Sequence, residues 1–143
     1  MTKNHHSAKS SFKGIYVLII QVDEDIELKV GALGKISFTK GSYAYVGSAQ
    51  ANIEQRIKRH LKSEKRKFWH VDYLLGNSRV KILKVFFKKG DNTEECKTAE
   101  GLGEKGEPIA SFGCSDCKCE SHLFHIKNYE FLQDTMQVFP KET

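Results

Sequence analysis

Two short tyrosine motifs and one helical segment carry side chains that can bind charge or transfer protons. The motifs are Gly-Ile-Tyr at residues 14–16 and Tyr-Val-Gly at residues 45–47, and the segment after them places Arg56 and His60 four positions apart. Residues four apart lie on the same face of a helix. A guanidinium can neutralise charge on a phosphate oxygen, and an imidazole can transfer a proton near neutral pH. Ile53, Ile57 and Leu61 lie beside them on the predicted buried stripe, so the spacing places the pair at the edge of the core, where a cleft would form.

Positive charge is concentrated on and after this helical segment. The chain has 23 Lys and Arg against 18 Asp and Glu, a net charge of +5, and residues 56–67 hold a dense group of basic side chains. A segregated basic patch suits a phosphate backbone, whereas a solvated helix face is the alternative explanation of the same pattern. Lys58 and Arg59 are therefore candidate substrate contacts.

The cysteines are concentrated in the last third of the chain. Cys114, Cys117 and Cys119 are followed by His122 and His125, and a fourth cysteine, Cys96, stands apart. Thiolates and imidazoles are zinc ligands, but this spacing is not that of a standard zinc finger. Disulfides are not the first expectation, because no export signal is present. We expect buried, reduced thiols, with a zinc site as the alternative.

Composition excludes several classes of protein. A length of 143 residues fits one domain, and 39% hydrophobic with 29% charged residues suits a compact core rather than a disordered chain. The longest apolar stretch, residues 16–20, is too short to cross a bilayer, and the first residues lack the apolar core of a secretory signal. We expect a cytoplasmic protein with no membrane partner, and the sequence identifies no protein partner.

The hydrophobic pattern predicts strands first and helices later, which is typical of an α+β domain. The expected strands lie near residues 14–22, 26–30, 35–39, 42–46, 80–87 and 121–126. Helices are expected after Asn52 as N-cap, near residues 68–75 and over residues 93–102, followed by a loop to residue 108 and a short helix or turn over 129–136. We expect one domain over residues 13–138, with disordered tails at 1–12 and 139–143.

The two tyrosine motifs, followed by the helix with Arg56 and His60, resemble a GIY-YIG nuclease domain. Four further blocks are more narrowly similar to the Uri-superfamily branch of small prokaryotic proteins predicted to be endonucleases: VGALG at 30–34, GSYAYVGSA at 41–49, WHVDYLL at 69–75 and FGCSDCKCESHL at 112–123. The resemblance covers residues 13–128 and implies a small, mainly antiparallel sheet flanked by helices. Tyr16 and Tyr45 are 29 positions apart, more than in the family, so we expect an extra β-hairpin between the motifs.

The resemblance implies a metal-dependent endonuclease that hydrolyses phosphodiester bonds, in DNA rather than RNA, with one Mg²⁺ or Mn²⁺ ion. Tyr16 and Tyr45 would line the site, one of them near the attacking water. Arg56 would hold the scissile phosphate, and His60 would position or transfer a proton. His70 matches the position of a further family Tyr or His. A module that keeps the fold and binds nucleic acid without cutting it is the alternative.

The metal-binding carboxylate is open between two glutamates of the helix predicted over residues 93–102. Glu95 and Glu100 are five positions apart, about 140° around a helix, so both cannot face one site. Glu100 stands where the wider family has its metal ligand. Glu95 lies in the block that resembles the Uri branch, and we lean towards it because the apolar residues that continue this helix are missing around Glu100.

The remaining candidates surround these positions. Gly47 and Ser48, at the end of the second motif, join Lys58 and Arg59 as substrate contacts. The downstream asparagine motif of the wider family is missing, and Asp116 is the candidate to replace it, on the metal or behind its ligand. The residues that would support the metal site or bind zinc are Asp116, Cys114, Cys117, Cys119 and His122.

Overall fold

The computed structural model describes residues 12–62, 66–67, 69–113 and 119–139. Its strands are β1 (Gly14–Val22), β2 (Ile26–Lys29), β3 (Lys35–Phe38), β4 (Gly41–Ala49), β5 (Val80–Lys89), β6 (Gly106–Pro108), β7 (Leu123–Ile126) and β8 (Gln137–Val138). Its α-helices are α1 (Ile53–Leu61), α2 (His70–Leu75) and α3 (Asn92–Lys105), and two short 3₁₀ turns cover Gly31–Leu33 and Glu130–Asp134.

Within the described residues, six strands form one antiparallel sheet in the order β6-β7-β4-β1-β5-β8. β1 lies in the interior of the sheet between β4 and β5, and nearly all of its side chains are buried. Its run of aromatic, Leu, Ile and Val residues suits a strand that is covered on both faces. The α+β class predicted from the sequence is confirmed.

The long interval between the two tyrosine motifs is filled by a separate hairpin. β2 and β3 pair antiparallel, with Ile26 opposite Phe38 and Lys29 opposite Lys35. Phe38 is buried in the core beside the large sheet, and Ile26 packs against that core. The extra β-hairpin predicted between the motifs is confirmed.

The two faces of the sheet are covered by different helices. Side chains alternate between the faces along a strand, so Tyr16, Leu18 and Ile20 face one way while Ile15, Val17 and Ile19 face the other. Apolar residues of α1 and α2 cover the first face, and apolar residues of α3 cover the second: Ile53, Ile57, Val71 and Leu74 on one side, Ala99 and Leu102 on the other.

The prediction of a loop over residues 101–108 is wrong. α3 continues to Lys105, and β6 then pairs with β7 at the edge of the sheet. Gly101 and Gly103 lower helix propensity, but Leu102 between them is 1% exposed and packs on the second face of the sheet. Burial of the Leu102 side chain outweighs the low helix propensity of the two glycines.

The folded core extends to Phe12 and Phe139, which the sequence assigned to the tails. Both rings pack against Phe87, with ring centroids 6.4 and 6.0 Å away. The rest of the predicted tails, residues 1–11 and 140–143, lies outside the described residues. In the part of the chain that the structure covers, no helix combines the length and the apolar character that crossing a membrane would require.

Candidate active site

The two motif tyrosines lie on neighbouring strands and on the same face of the sheet. In the register of β1 and β4, Tyr16 is opposite Gly47 and Leu18 is opposite Tyr45. A Cβ atom at Gly47 would come within 2.5 Å of the Tyr16 hydroxyl and 2.6 Å of its ring carbon. Gly47 therefore contributes space: only a residue without a side chain lets the Tyr16 phenol lie across β4.

The Tyr16 hydroxyl and the His60 imidazole share a buried hydrogen bond. The distance from Tyr16 Oη to His60 Nε2 is 2.8 Å, and each residue is 2% exposed. α1 presents His60 because Asn52 accepts a hydrogen bond from the Gln55 backbone N–H and so starts the helix at Ile53. The phenol and the imidazole therefore form one proton-sharing pair.

Both motif tyrosines are neutral phenols at neutral pH, and burial makes their ionisation still less favourable. Burial raises the pKa of Tyr16 far above its ordinary value, although the neighbouring Arg56 guanidinium opposes the shift. Burial also raises the pKa of Tyr45, whose ring lies edge-on to His60 at a centroid distance of 6.2 Å. Neither phenol is an effective base by itself.

Arg56 is held at the end of β4 by two contacts. Its Nη1 donates to the Ser48 carbonyl oxygen at 2.8 Å, and its guanidinium carbon lies 4.7 Å from the centre of the Trp69 ring. The His60 ring lies 5.7 Å from the same Trp69 ring, so Arg56 and His60 pack against one indole. A fixed cation therefore stands next to the tyrosine–histidine pair.

The carboxylate of Glu95, on α3, contacts Ser48, the residue that Arg56 also contacts. The Ser48 hydroxyl donates to Glu95 Oε1 at 2.9 Å, and His122 Nδ1 lies 3.2 Å from Glu95 Oε2. Ser48 thus joins the two charges, since its carbonyl accepts from Arg56 and its hydroxyl donates to Glu95. The Glu95 side chain keeps 18% of its surface exposed.

The two candidate metal ligands occupy different environments. Glu100 is an exposed residue of α3, whereas Glu95 in the first turn contacts Ser48 and His122. The structure therefore brings Glu95, and not Glu100, to the cluster around Tyr16 and Arg56.

His70 lies beside this cluster and fastens a turn. The Gly113 backbone N–H donates to His70 Nδ1 at 2.8 Å, and the Phe112 ring packs edge-on to the imidazole at 5.6 Å. Burial lowers the pKa of His70, which favours the neutral ring that this acceptor role needs. A Cβ at Gly113 would be 3.4 Å from the Tyr45 ring, so the turn closes against the second motif.

The two basic candidates of α1 have different surroundings. Arg59 donates from Nη1 and Nη2 to the two carboxylate oxygens of Asp72 at 3.1 and 3.0 Å. Asp72 is 1% exposed and also accepts from the Trp69 backbone N–H at 2.9 Å. This arrangement gives Arg59 a role in holding α2 against α1. Lys58 is exposed and pairs with Glu54 at 2.9 Å.

The sulfur-containing candidates are only partly described. Cys114, Asp116 and Cys117 lie outside the described residues. Cys119 and His122 converge instead with Cys96 of α3, a residue that the sequence set apart from the cluster. That contact depends on the packing of α3 beside β7, which the sequence does not show. The available signal was the position of Cys96 next to Glu95, a candidate metal ligand.

Sequence reasoning also gave too little weight to Trp69. It is the residue before α2, and the guanidinium groups of both Arg56 and Arg59 lie over its ring, at 4.7 and 4.3 Å from the centroid. The position of a lone tryptophan beside a basic segment was the available signal.

The fold and the site together define a small α+β domain with a buried tyrosine–histidine pair, near a guanidinium and a carboxylate that both contact Ser48. Residues 15–142 match the family model described as Domain of unknown function DUF123, and the chain belongs to that family. A comparison with curated proteins and one with solved structures each found no match.

Proposed function

We propose that this protein is a metal-dependent endonuclease that hydrolyses phosphodiester bonds in DNA. The observation that carries the proposal is the convergence on Ser48: Arg56 and Glu95 bind the same residue, beside the hydrogen-bonded Tyr16 and His60. Phosphodiester hydrolysis needs an activated water and compensation of the charge that develops on the phosphate. The cluster holds one group of each kind.

Water activation is assigned to the tyrosine–histidine pair. The high pKa of Tyr16 makes a stable phenolate unfavourable. A relay avoids that species: the attacking water gives a proton to the Tyr16 oxygen while the phenol gives its own proton to His60 Nε2, which lies 2.8 Å away. The proton ends on an imidazole, the side chain whose ordinary pKa lies closest to neutrality.

Charge compensation is assigned to Arg56. Its guanidinium is held by the Ser48 carbonyl and by Trp69, so it need not reorganise when the phosphate becomes more negative. Because a guanidinium has five N–H donors, the contact with Ser48 leaves donors for phosphate oxygens. Arg56 therefore combines a fixed position with remaining binding capacity.

Glu95 is the residue that would hold a divalent cation. A carboxylate offers about four lone-pair positions, so the contacts with Ser48 and His122 leave room for a hard cation such as Mg²⁺ or Mn²⁺. Such an ion, when bound, supplies further positive charge to the phosphate oxygens. Water and substrate oxygens would complete its coordination.

Access to the site supports a substrate that approaches along the end of β4. Tyr16 and His60 are buried, whereas Arg56, Ser48 and Glu95 are partly exposed. A phosphate group can therefore reach the Arg56 guanidinium, and a cation held by Glu95, before it reaches the phenol behind them. The net charge of +5 favours a polyanionic substrate, and a reduced, nucleic-acid-containing compartment such as the cytoplasm suits both the substrate and the thiol pair of Cys96 and Cys119.

The proposal is tested by nicking of supercoiled plasmid DNA with Mg²⁺ or Mn²⁺. Arg56→Ala and Glu95→Gln should each lower the nicking rate about 10²–10³-fold, as expected for loss of one charge-stabilising group. Glu100→Gln, an exposed carboxylate of the same helix, is the matched control and should cut like the parent protein. Equal rates in all four proteins would mean that a contaminating nuclease is responsible, and would end the proposal.

A non-catalytic nucleic-acid-binding module is the second candidate, favoured by the near-complete burial of Tyr16 and His60. It predicts salt-dependent binding of a DNA duplex and no cleavage with any divalent ion. In that case Arg56→Ala should weaken binding while Tyr16→Phe leaves it unchanged.

A further inference from the structure

Three metal-binding side chains converge where α3 packs beside the start of β7. Cys96 comes from α3, while Cys119 and His122 precede β7 by a few residues. Their ligand atoms all lie within 4.8 Å of one another, and Cys119 Sγ is 2.7 Å from Cys96 Sγ. In the structure the two side chains meet as a hydrogen-bonded thiol pair. Two sequence segments 23 residues apart therefore meet through two sulfurs and an imidazole.

The kinds of ligand atom select a soft or borderline metal. Thiolate and imidazole together are typical of zinc, whereas Mg²⁺ and Ca²⁺ prefer oxygen. Tetrahedral zinc with Zn–S bonds of about 2.3 Å places two thiolates about 3.8 Å apart. The two sulfurs would have to separate by about 1 Å from their present distance, a change within reach of small χ1 rotations at two half-buried residues.

His122 is already oriented as a metal-bound histidine usually is. Its Nδ1 faces Glu95 Oε2 at 3.2 Å, and its side chain is 5% exposed. Metal-binding histidines commonly give one ring nitrogen to the metal and donate from the other to a carboxylate, which fixes the tautomer. With zinc bound, the contact with Glu95 would assign Nδ1 to the carboxylate and Nε2 to the metal.

We propose that Cys96, Cys119 and His122 bind one Zn²⁺ ion that fastens α3 to the segment before β7. The ion is distinct from the divalent cation assigned to Glu95, because it uses sulfur and nitrogen rather than carboxylate oxygen. It also orients Glu95, which lies next to Cys96 in the chain and contacts His122. The fourth coordination position is taken by water or by another ligand.

The first test is the metal content of the full chain, purified in reductant and without chelator. Elemental analysis should find close to one zinc per chain. Cys96→Ser, Cys119→Ser and His122→Asn should each retain only a small fraction of it. His125→Asn is the matched control, because His125 lies on β7 and stacks on Tyr43 outside the cluster, and it should keep the zinc.

A second measurement tests the proposal on the parent protein, in case the variants fail to fold. The parent protein, stripped with a chelator, is titrated with Co²⁺, and thiolate ligation should give a charge-transfer absorption band that saturates at one equivalent. Glu95→Gln should bind Co²⁺ about 10–100-fold more weakly, the usual effect of losing the partner of a metal-bound histidine. Neither readout depends on DNA cleavage, so this proposal and the nuclease proposal can fail separately.

Two results would overturn the proposal. One is a reduced parent protein that contains no zinc and develops no thiolate band with Co²⁺. The other is a metal-free protein in which peptide mapping finds Cys96 and Cys119 joined as a disulfide, which would make the pair a covalent link instead.

Discussion

At the scale of single residues, the site depends on close approach between groups that are far apart in the chain. Tyr16 and His60 are separated by 44 positions and share a 2.8 Å hydrogen bond. Gly47 provides the space across which the phenol lies. The sequence predicted these three residues from their types and order, whereas the contact of Ser48 with both Arg56 and Glu95 depends on the meeting of β4, α1 and α3.

Tyr16→Phe separates chemistry from packing. The ring remains, so the free energy of unfolding should fall by only about 1 kcal/mol, the usual contribution of one hydrogen bond. The proton relay to His60 is lost, so the nicking rate should fall about 10²–10⁴-fold. Tyr43→Phe is the matched control: its hydroxyl donates to the Thr39 carbonyl on the same face of the sheet, and its loss should leave nicking unchanged. Unaltered nicking by Tyr16→Phe would exclude the relay.

Gly47→Ala tests the space that the second motif leaves for the first. The new methyl would lie 2.5 Å from the Tyr16 hydroxyl, so the phenol must move. Overpacking of this kind costs about 1–3 kcal/mol of unfolding free energy, measurable by urea denaturation. The double variant Gly47→Ala, Tyr16→Ala should be destabilised by less than the sum of its two single variants, and simple additivity would contradict the steric explanation.

At the scale of elements, the sequence predicted the strands and helices whose formation depends on local interactions. β1 is a nearly continuous apolar stretch, β4 is a largely buried stretch with Tyr43, Tyr45 and Val46, and α1 begins where Asn52 caps it, so all three could be inferred from the sequence. The end of α3 could not, because glycine favours a loop while the burial of Leu102 and the pairing of β6 with β7 favour order. The same limit applies to Cys96, whose partners follow 23 or more residues later.

Gly101→Ala tests the helical end of α3. Nothing lies within 4 Å of a Cβ at this position, so the methyl meets no steric obstacle. Alanine in place of glycine inside a helix should raise the free energy of unfolding by about 0.5–1 kcal/mol. Urea unfolding measures the gain. A loop at residues 101–105 would instead give no increase in stability, contrary to the structure.

At the scale of the whole molecule, the covering helices are joined to the rest by polar contacts as well as by the core. The buried Asp72 carboxylate receives the Arg59 guanidinium from α1, and His70 receives the Gly113 backbone N–H from the turn beside Tyr45. α2 is therefore fixed to α1 at one point and to that turn at another. Residues that the sequence suggested for substrate binding or catalysis, Arg59 and His70, contribute here to the assembly of the domain.

His70 makes part of the stability depend on pH. Its folded-state pKa lies below its ordinary value of about 6.5, so the unfolded chain takes up the proton first as the pH falls. The contribution is present above about pH 6.5 and is lost as the pH falls through the folded pKa. His70→Asn keeps an acceptor for the Gly113 N–H but cannot titrate. Urea unfolding is measured above pH 6.5 and again below the folded-state pKa of His70. The free energy of unfolding should fall more for the parent protein than for His70→Asn, and equal losses would refute the assignment.

Trp69, the one tryptophan of the chain, lies against Arg56, Arg59 and His60. Its indole emission therefore originates at the proposed phosphate-binding group and nowhere else in the protein. Any anion that binds Arg56 changes the charge beside that fluorophore, so ligand engagement can be followed optically, without a label, even in a variant that no longer cuts.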